Sequence, residues 1–111
     1  MYEILYYVSA RGEDVVKEFI CSLNNKAVVG RIMAKIDYLK QHGPLAKPPA
    51  IEHLGDKLYT LRVPFGRLEI RIFYFFDGKD IILTHGFLKK TPKLPASEID
   101  CAKAIYNEHF R

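Results

Sequence analysis

The chain has 111 residues, of which 49% are hydrophobic and 27% are charged, with 17 Lys and Arg against 13 Asp and Glu. This length supports one hydrophobic core and the composition excludes disordered and fibrous proteins, so we expect one domain over residues 1–111. No apolar run reaches the length of a membrane span and the start lacks the pattern of a secretory signal, so a cytoplasmic protein with no membrane partner is expected.

The first half of the chain predicts a strand and a helical hairpin. Residues 2–8 are aromatic and β-branched, which is typical of a strand. Apolar residues recur at helical spacing over residues 13–23 and again over residues 26–42. Asn24-Asn25 separates the two helices, and Gly43-Pro44 ends the second. Because only a short turn joins them, the two helices are expected to pack as an antiparallel hairpin.

The second half predicts a loop, a β-meander and a final helix. Residues 43–57 contain three prolines and two glycines without periodicity, which is typical of a loop. The β-rich runs lie at residues 58–63, 68–76 and 80–88, and the helix at residues 96–109, with a weak capping box at Ser97. Asp77-Gly78 is a hairpin signal. The order βααβββα predicts an α+β domain with a mainly antiparallel sheet, a helical hairpin and a C-terminal helix.

The cysteines, one glycine and the histidines lead to further predictions. Cys21 and Cys101 lie in predicted helices without a CxxC motif, so buried, reduced thiols are expected. Gly30, inside the second helix, costs up to about 1 kcal/mol relative to alanine, which indicates close packing there. The four histidines lack the spacing of metal ligands, and neither GxSxG nor a P-loop occurs. We therefore expect no metal and no cofactor, and interpret His85 as a satisfied structural residue.

The positive charge is concentrated in one segment. Residues 57–93 hold eight Lys and Arg against three Asp and Glu, whereas residues 1–56 hold seven of each. Such asymmetry is typical of a surface that faces a polyanion.

Strand alternation places two arginines of this segment on one face of the predicted sheet. Arg62 lies opposite the core positions of its strand, and Arg71 lies opposite Ile70 and Ile72. Arg71 is therefore expected to project into solvent, and Arg71→Ala to leave the fold nearly intact. Guanidinium groups bind phosphate oxygens and aromatic rings stack on bases, so the surface predicts an RNA site in which Arg67, Tyr74 and Phe75 also contact RNA. A solvated face with surface salt bridges is the alternative.

A basic loop continues the positive segment. Lys89, Lys90 and Lys93 follow the last strand and precede a helix N-terminus, whose free N–H groups favour anions. Phosphate contact and a merely solvated loop both fit this pattern.

Three strings in this order resemble the RelE/HigB toxins, in particular their phage-derived Gp49-like branch. They are LGDKLYTLRV at residues 54–63, RIFYFF at 71–76 and HGFLKKTPKLP at 85–95. The resemblance implies a βααβββα fold and metal-independent cleavage of mRNA in the ribosomal A site. By position it implies that Arg62, Arg71, Lys89 and Lys90 are catalytic. Thr60 stands where RelE has a further lysine.

The resemblance also implies the function and partners of the protein. It predicts the toxin of a toxin-antitoxin system, an endoribonuclease that inhibits translation. Its partners would be mRNA on the ribosome and a HigA-like helix-turn-helix antitoxin, with DNA contacted only through the antitoxin complex. Two alternatives remain open: a ParE-like toxin that acts on gyrase, and a non-catalytic RNA-binding or interaction module.

Overall fold

Three α-helices and five β-strands make up the fold in a computed structural model that describes residues 1–111, and the predicted α+β class is confirmed. The helices are α1 (Val15–Ser22), α2 (Lys26–His42) and α3 (Ala96–His109). The strands are β1 (Glu3–Tyr6), β2 (Ile51–Gly55), β3 (Leu58–Phe65), β4 (Leu68–Asp77) and β5 (Asp80–Leu88). The bounds of α2, α3 and β5 are those predicted. No helix combines the length and apolar character needed to cross a membrane.

The strands form one sheet in the order β1-β5-β4-β3-β2. β1 runs parallel to β5, and all other neighbouring strands are antiparallel. A tight turn joins β4 to β5 as predicted, with Asp77 paired to Asp80 and Gly78 at a φ of 60°. The predicted loop over residues 43–57 is wrong in part, because Ile51–Gly55 pairs with β3 as an edge strand.

Helices cover both faces of the sheet. The hairpin of α1 and α2 packs on one face around a core of 14 buried residues, which includes Ile32, Leu61 and Ile72. On the other face, Phe73 and Phe75 pack with Ala102 and Ile105 of α3 in a cluster of seven buried residues. The central strands are therefore apolar on both faces, which explains why β4 is an almost continuous hydrophobic run.

A β-bulge at Thr84 exchanges the faces of β5. Phe73 pairs with His85 but the next residue, Tyr74, pairs with Leu83, so Thr84 is an extra residue in the ladder. Beyond the bulge, His85 stacks on Phe73 on the α3 face. Gly86 then faces α1, where an added Cβ would lie 2.6 Å from the ring of Phe19. Only glycine allows this close approach.

The structure corrects three expectations about local features. Cys21 and Cys101 are both free and exposed, because they lie on the outer faces of their helices. A Cβ at Gly30 would meet no atom within 4 Å, so close packing does not explain this glycine. α3 begins after Pro95 without a side-chain cap, and the predicted capping box at Ser97 is wrong.

Candidate functional site

Arg62 and Arg71 face each other across β3 and β4 and share one carboxylate. Glu69 Oε1 accepts hydrogen bonds from Arg62 Nε at 2.9 Å and from Arg71 Nε at 3.1 Å, and Arg62 Nη2 lies 2.9 Å from the same oxygen. Lys89 Nζ lies 4.0 Å from Glu69 Oε2. Like charges directly opposed on a sheet repel each other, and the shared carboxylate offsets this repulsion.

Arg71 is buried, so the prediction that it projects into solvent is wrong. Its side chain is only 4% exposed. Arg71 Nη1 donates to Glu52 Oε1 at 2.6 Å and to Thr60 Oγ1 at 3.2 Å, while Phe87 is its neighbour on β5. Hydrogen-bond partners on β2, β3 and β4 thus hold the guanidinium. We call Arg62, Arg71, Lys89, Glu52 and Glu69 the arginine cluster.

The sequence pattern does not predict Glu52 as a site residue. Glu52 lies on β2, in the segment predicted to be a loop, and pairs with Thr60 of β3. The only signal in the sequence was the short run Ile51–Leu54 between the proline pair and Gly55. Edge pairing brings the Glu52 carboxylate to Arg71 across 19 positions of sequence.

The two carboxylates do not neutralise the arginine cluster completely. Three cations face two acids, and Arg62 and Lys89 keep side-chain exposures of 37% and 12%. Burial alone would raise the pKa of Glu69, but the hydrogen bonds and charges of Arg62 and Arg71 outweigh it and hold the pKa below its ordinary value. Glu69 is therefore ionised at neutral pH and is a weak proton acceptor.

Three further predicted residues, close in sequence to members of the cluster, are free cations. Arg67 lies in the turn between β3 and β4, and Lys90 and Lys93 follow β5. All three are exposed, and no carboxylate lies within ion-pair distance of any of them. The backbone N–H of Lys89 donates to Glu69 O at 2.8 Å, which ties the start of the basic loop to the cluster.

Tyr74 and Phe75 are not accessible to a base in this structure. Tyr74 is 1% exposed in the core beneath the helical hairpin, and Phe75 is 0% exposed beneath α3. Phe75 packs against Tyr106 and Phe110 at the end of α3. The expectation that these two rings form an exposed stacking surface is wrong, because the helical hairpin covers Tyr74 and α3 covers Phe75.

His85 links the sheet to the start of α3. His85 Nε2 lies 3.2 Å from Glu98 Oε1, and Nδ1 lies 3.1 Å from Thr84 Oγ1, so both ring nitrogens are satisfied as predicted. Burial lowers the pKa of His85, and the nearby Glu98 carboxylate only partly opposes this. The imidazole is therefore neutral at pH 7. No group of three or more His, Cys, Asp or Glu side chains is placed to hold a metal ion.

Comparison with known proteins agrees with the resemblance carried by the sequence motifs. The family model described as phage derived protein Gp49-like (DUF891) matches residues 18–107, a range that contains the whole arginine cluster. A comparison with curated proteins gives no match. The family match covers most of the chain, from α1 to α3. The chain therefore belongs to the Gp49-like family of phage-derived proteins, a toxin-like family related to RelE.

Proposed function

We propose that the protein is the toxin of a toxin-antitoxin system and cuts mRNA on the ribosome as a metal-independent endoribonuclease of the RelE/HigB type. The observation that carries this proposal is the arginine cluster, in which Arg62 and Lys89 converge on one carboxylate beside exposed cations. Membership of a toxin-like family supports the toxin assignment and implies a cognate antitoxin. A helix-turn-helix antitoxin of the HigA type is the partner we propose.

The chemistry that suits this site is attack by the RNA 2′-hydroxyl on the adjacent phosphorus. The attack forms a bond from the 2′-oxygen to phosphorus, with loss of the 2′-hydroxyl proton to water, and breaks the bond to the 5′-oxygen, which takes up a proton. The products are a 2′,3′-cyclic phosphate and a 5′-hydroxyl. Negative charge accumulates on the phosphate oxygens in the transition state. Cations held in place beforehand stabilise that charge without having to reorganise.

The geometry supports different roles for the two arginines. Arg62 uses Nε and Nη2 for Glu69, and Nη1 has no protein partner, so Nη1 can donate to a phosphate oxygen. Arg71 is enclosed, so we assign it as a positioning residue that holds Glu69 and thereby Arg62. Lys89 and Lys90 grip the phosphate or donate the proton to the leaving 5′-oxygen. Arg67 and Lys93 contact neighbouring phosphates.

A growth and cleavage experiment tests this function. Expression of the protein alone is expected to arrest translation, and co-expression of its antitoxin to restore growth. Purified protein is expected to cut mRNA on ribosomal complexes formed beforehand and to leave the supercoiling activity of gyrase intact. Inhibited gyrase with uncut mRNA would instead support a ParE-like toxin. RNA binding without any cut would support a non-catalytic module.

A further inference from the structure

A small cleft at the edge of the sheet lies beside Arg62. Lys35 of α2, Pro49 and Ala50 before β2, and Arg62 and Pro64 of β3 line this cleft, whose volume is about 80 Å³. Two of the five lining residues are cations and none is an acid. The cleft is therefore positively charged, and Arg62 belongs both to it and to the arginine cluster.

Arg31 extends the positive charge along α2. It precedes Lys35 by four residues, so the two side chains lie on the same face of the helix. Arg31 Nη1 donates to Pro64 O at 3.4 Å, and the guanidinium lies 5.2 Å from the centre of the Phe65 ring. Neither Arg31 nor Lys35 has a carboxylate within ion-pair distance. These contacts hold an uncompensated cation against Pro64, which lines the cleft.

We propose that this cleft, with Arg31 and Lys35, binds the backbone phosphate of a neighbouring nucleotide in the single-stranded RNA that the arginine cluster cuts. The assignment rests on the proposed function, because the cleft would bind the next part of the same RNA strand that is cut at the arginine cluster. Arg62 connects the two places, so a strand held at the cluster reaches the cleft without leaving the positive surface. Grooves that combine fixed cations with apolar contacts are typical of sequence-independent binding to single strands. The apolar part here is Pro49, Ala50 and Pro64.

Binding to short RNAs tests the cleft separately from cleavage. The probes are a trinucleotide and a heptanucleotide of single-stranded RNA, 2′-O-methylated so that they cannot be cut. The parent is expected to bind the heptanucleotide more tightly. In the Arg31→Ala/Lys35→Ala variant the heptanucleotide should bind on the order of tenfold more weakly and trinucleotide binding should not change. Each lost phosphate contact should reduce the salt dependence of the logarithm of the binding constant by about 0.7.

The matched control is Lys26→Ala/Lys79→Ala, which removes two exposed cations that form no ion pair. It should bind both probes like the parent. A parent that does not favour the heptanucleotide overturns the proposal, as does an Arg31→Ala/Lys35→Ala variant with the parental length preference. The proposal is also overturned if the Arg31→Ala/Lys35→Ala variant binds both RNA probes like the parent but binds ribosomes more weakly. That result would assign the two cations to contact with ribosomal RNA. Cleavage of ribosome-bound mRNA by the parent tests the proposed function alone, so the two failures are distinguishable.

Discussion

Arg62 and Arg71 lie directly opposite each other on antiparallel strands and donate to the same oxygen of Glu69, at 2.9 and 3.1 Å. One carboxylate thus determines the relative position of two cations that would otherwise repel each other. This relationship makes Glu69 the centre of the arginine cluster, and under the proposed function Glu69 would compete with RNA phosphate for the same donors.

Replacing Glu69 should separate RNA binding from cleavage. Glu69→Gln removes the competing charge and weakens the charge-assisted hydrogen bonds that hold Arg62 in place. We expect binding of uncleavable RNA to tighten by roughly threefold to tenfold, while the cleavage rate falls by at least about tenfold because alignment is lost. The control is Glu3→Gln, which removes an exposed acid that forms no ion pair on the edge strand β1. Parental cleavage by Glu69→Gln would contradict the positioning role.

The two arginines should differ in their effect on stability. Arg62 is 37% exposed, so Arg62→Ala should lower the free energy of unfolding by less than about 1 kcal/mol and slow cleavage by on the order of 100-fold. Arg71→Ala removes a buried cation from Glu52, Glu69 and Thr60, and should cost about 2–3 kcal/mol. Arg71→Lys should recover only part of this loss, since an ammonium group cannot replace the planar fork. Urea unfolding with cleavage assays measures both effects, and equal stability losses would be inconsistent with the burial of Arg71.

Two glycine substitutions should change the free energy of unfolding in opposite directions. A Cβ at Gly86 would lie 2.6 and 2.8 Å from ring carbons of Phe19, so Gly86→Ala should lower the free energy of unfolding by about 1–3 kcal/mol. Gly30→Ala is the matched control, because a Cβ there meets no atom within 4 Å. It should raise the free energy of unfolding by up to about 1 kcal/mol, through better helix propensity. Denaturant unfolding curves measure both changes in the free energy of unfolding. A Gly86→Ala variant with parental stability would count against the bulge at Thr84, which turns Gly86 towards Phe19.

Acidification should destabilise the fold through His85. The unfolded imidazole takes up a proton near its ordinary pKa of 6.5, whereas burial keeps the folded imidazole neutral to lower pH. The unfolded state then binds more protons than the folded state. The contribution of His85 to the free energy of unfolding is therefore fully present above about pH 6.5 and is lost as the pH falls below that value. Glu69 adds a loss of the same sign as pH falls below 4.5, the ordinary pKa of its carboxyl group.

The measurement for His85 is the slope of unfolding free energy against pH between about 7 and 5. His85→Asn should flatten this slope, whatever its effect on absolute stability. His53→Asn, at an exposed residue, should keep the parental slope. Identical slopes in all three proteins would refute the role of His85.

Cleavage should not depend on an added metal ion. The proposed chemistry relies on Arg62 and Lys89 for charge stabilisation, so EDTA added to ribosomal complexes formed beforehand should leave the cleavage rate unchanged within about twofold. The complexes must be formed first because ribosomes themselves need magnesium. Activity that disappears with EDTA and returns only with zinc or manganese would rule out this mechanism.

Local pattern in the sequence determined several elements correctly. Hydrophobic periodicity and the flanking signals Asn24-Asn25 and Gly43-Pro44 predicted the bounds of α2, because the residues that form and end a helix lie within a few positions of each other. Alternation along β3 placed Arg62 opposite Leu61 and Val63, and the structure agrees, with both of the latter buried in the hairpin core. The hairpin at Asp77-Gly78 likewise depends only on local backbone conformation.

Only the tertiary structure decided how the site is enclosed. β2 is a strand because β3 supplies its hydrogen-bond partners, and Glu52 reaches Arg71 through that pairing. The bulge at Thr84 depends on the register of β5 against β4, which no local pattern in β5 specifies. Alternation assigned Arg71 to a face but could not show that partners from other strands bury it there. Burial is a property of neighbours that are distant in sequence, which is why Arg71 was predicted to be exposed and lies in the interior of the arginine cluster.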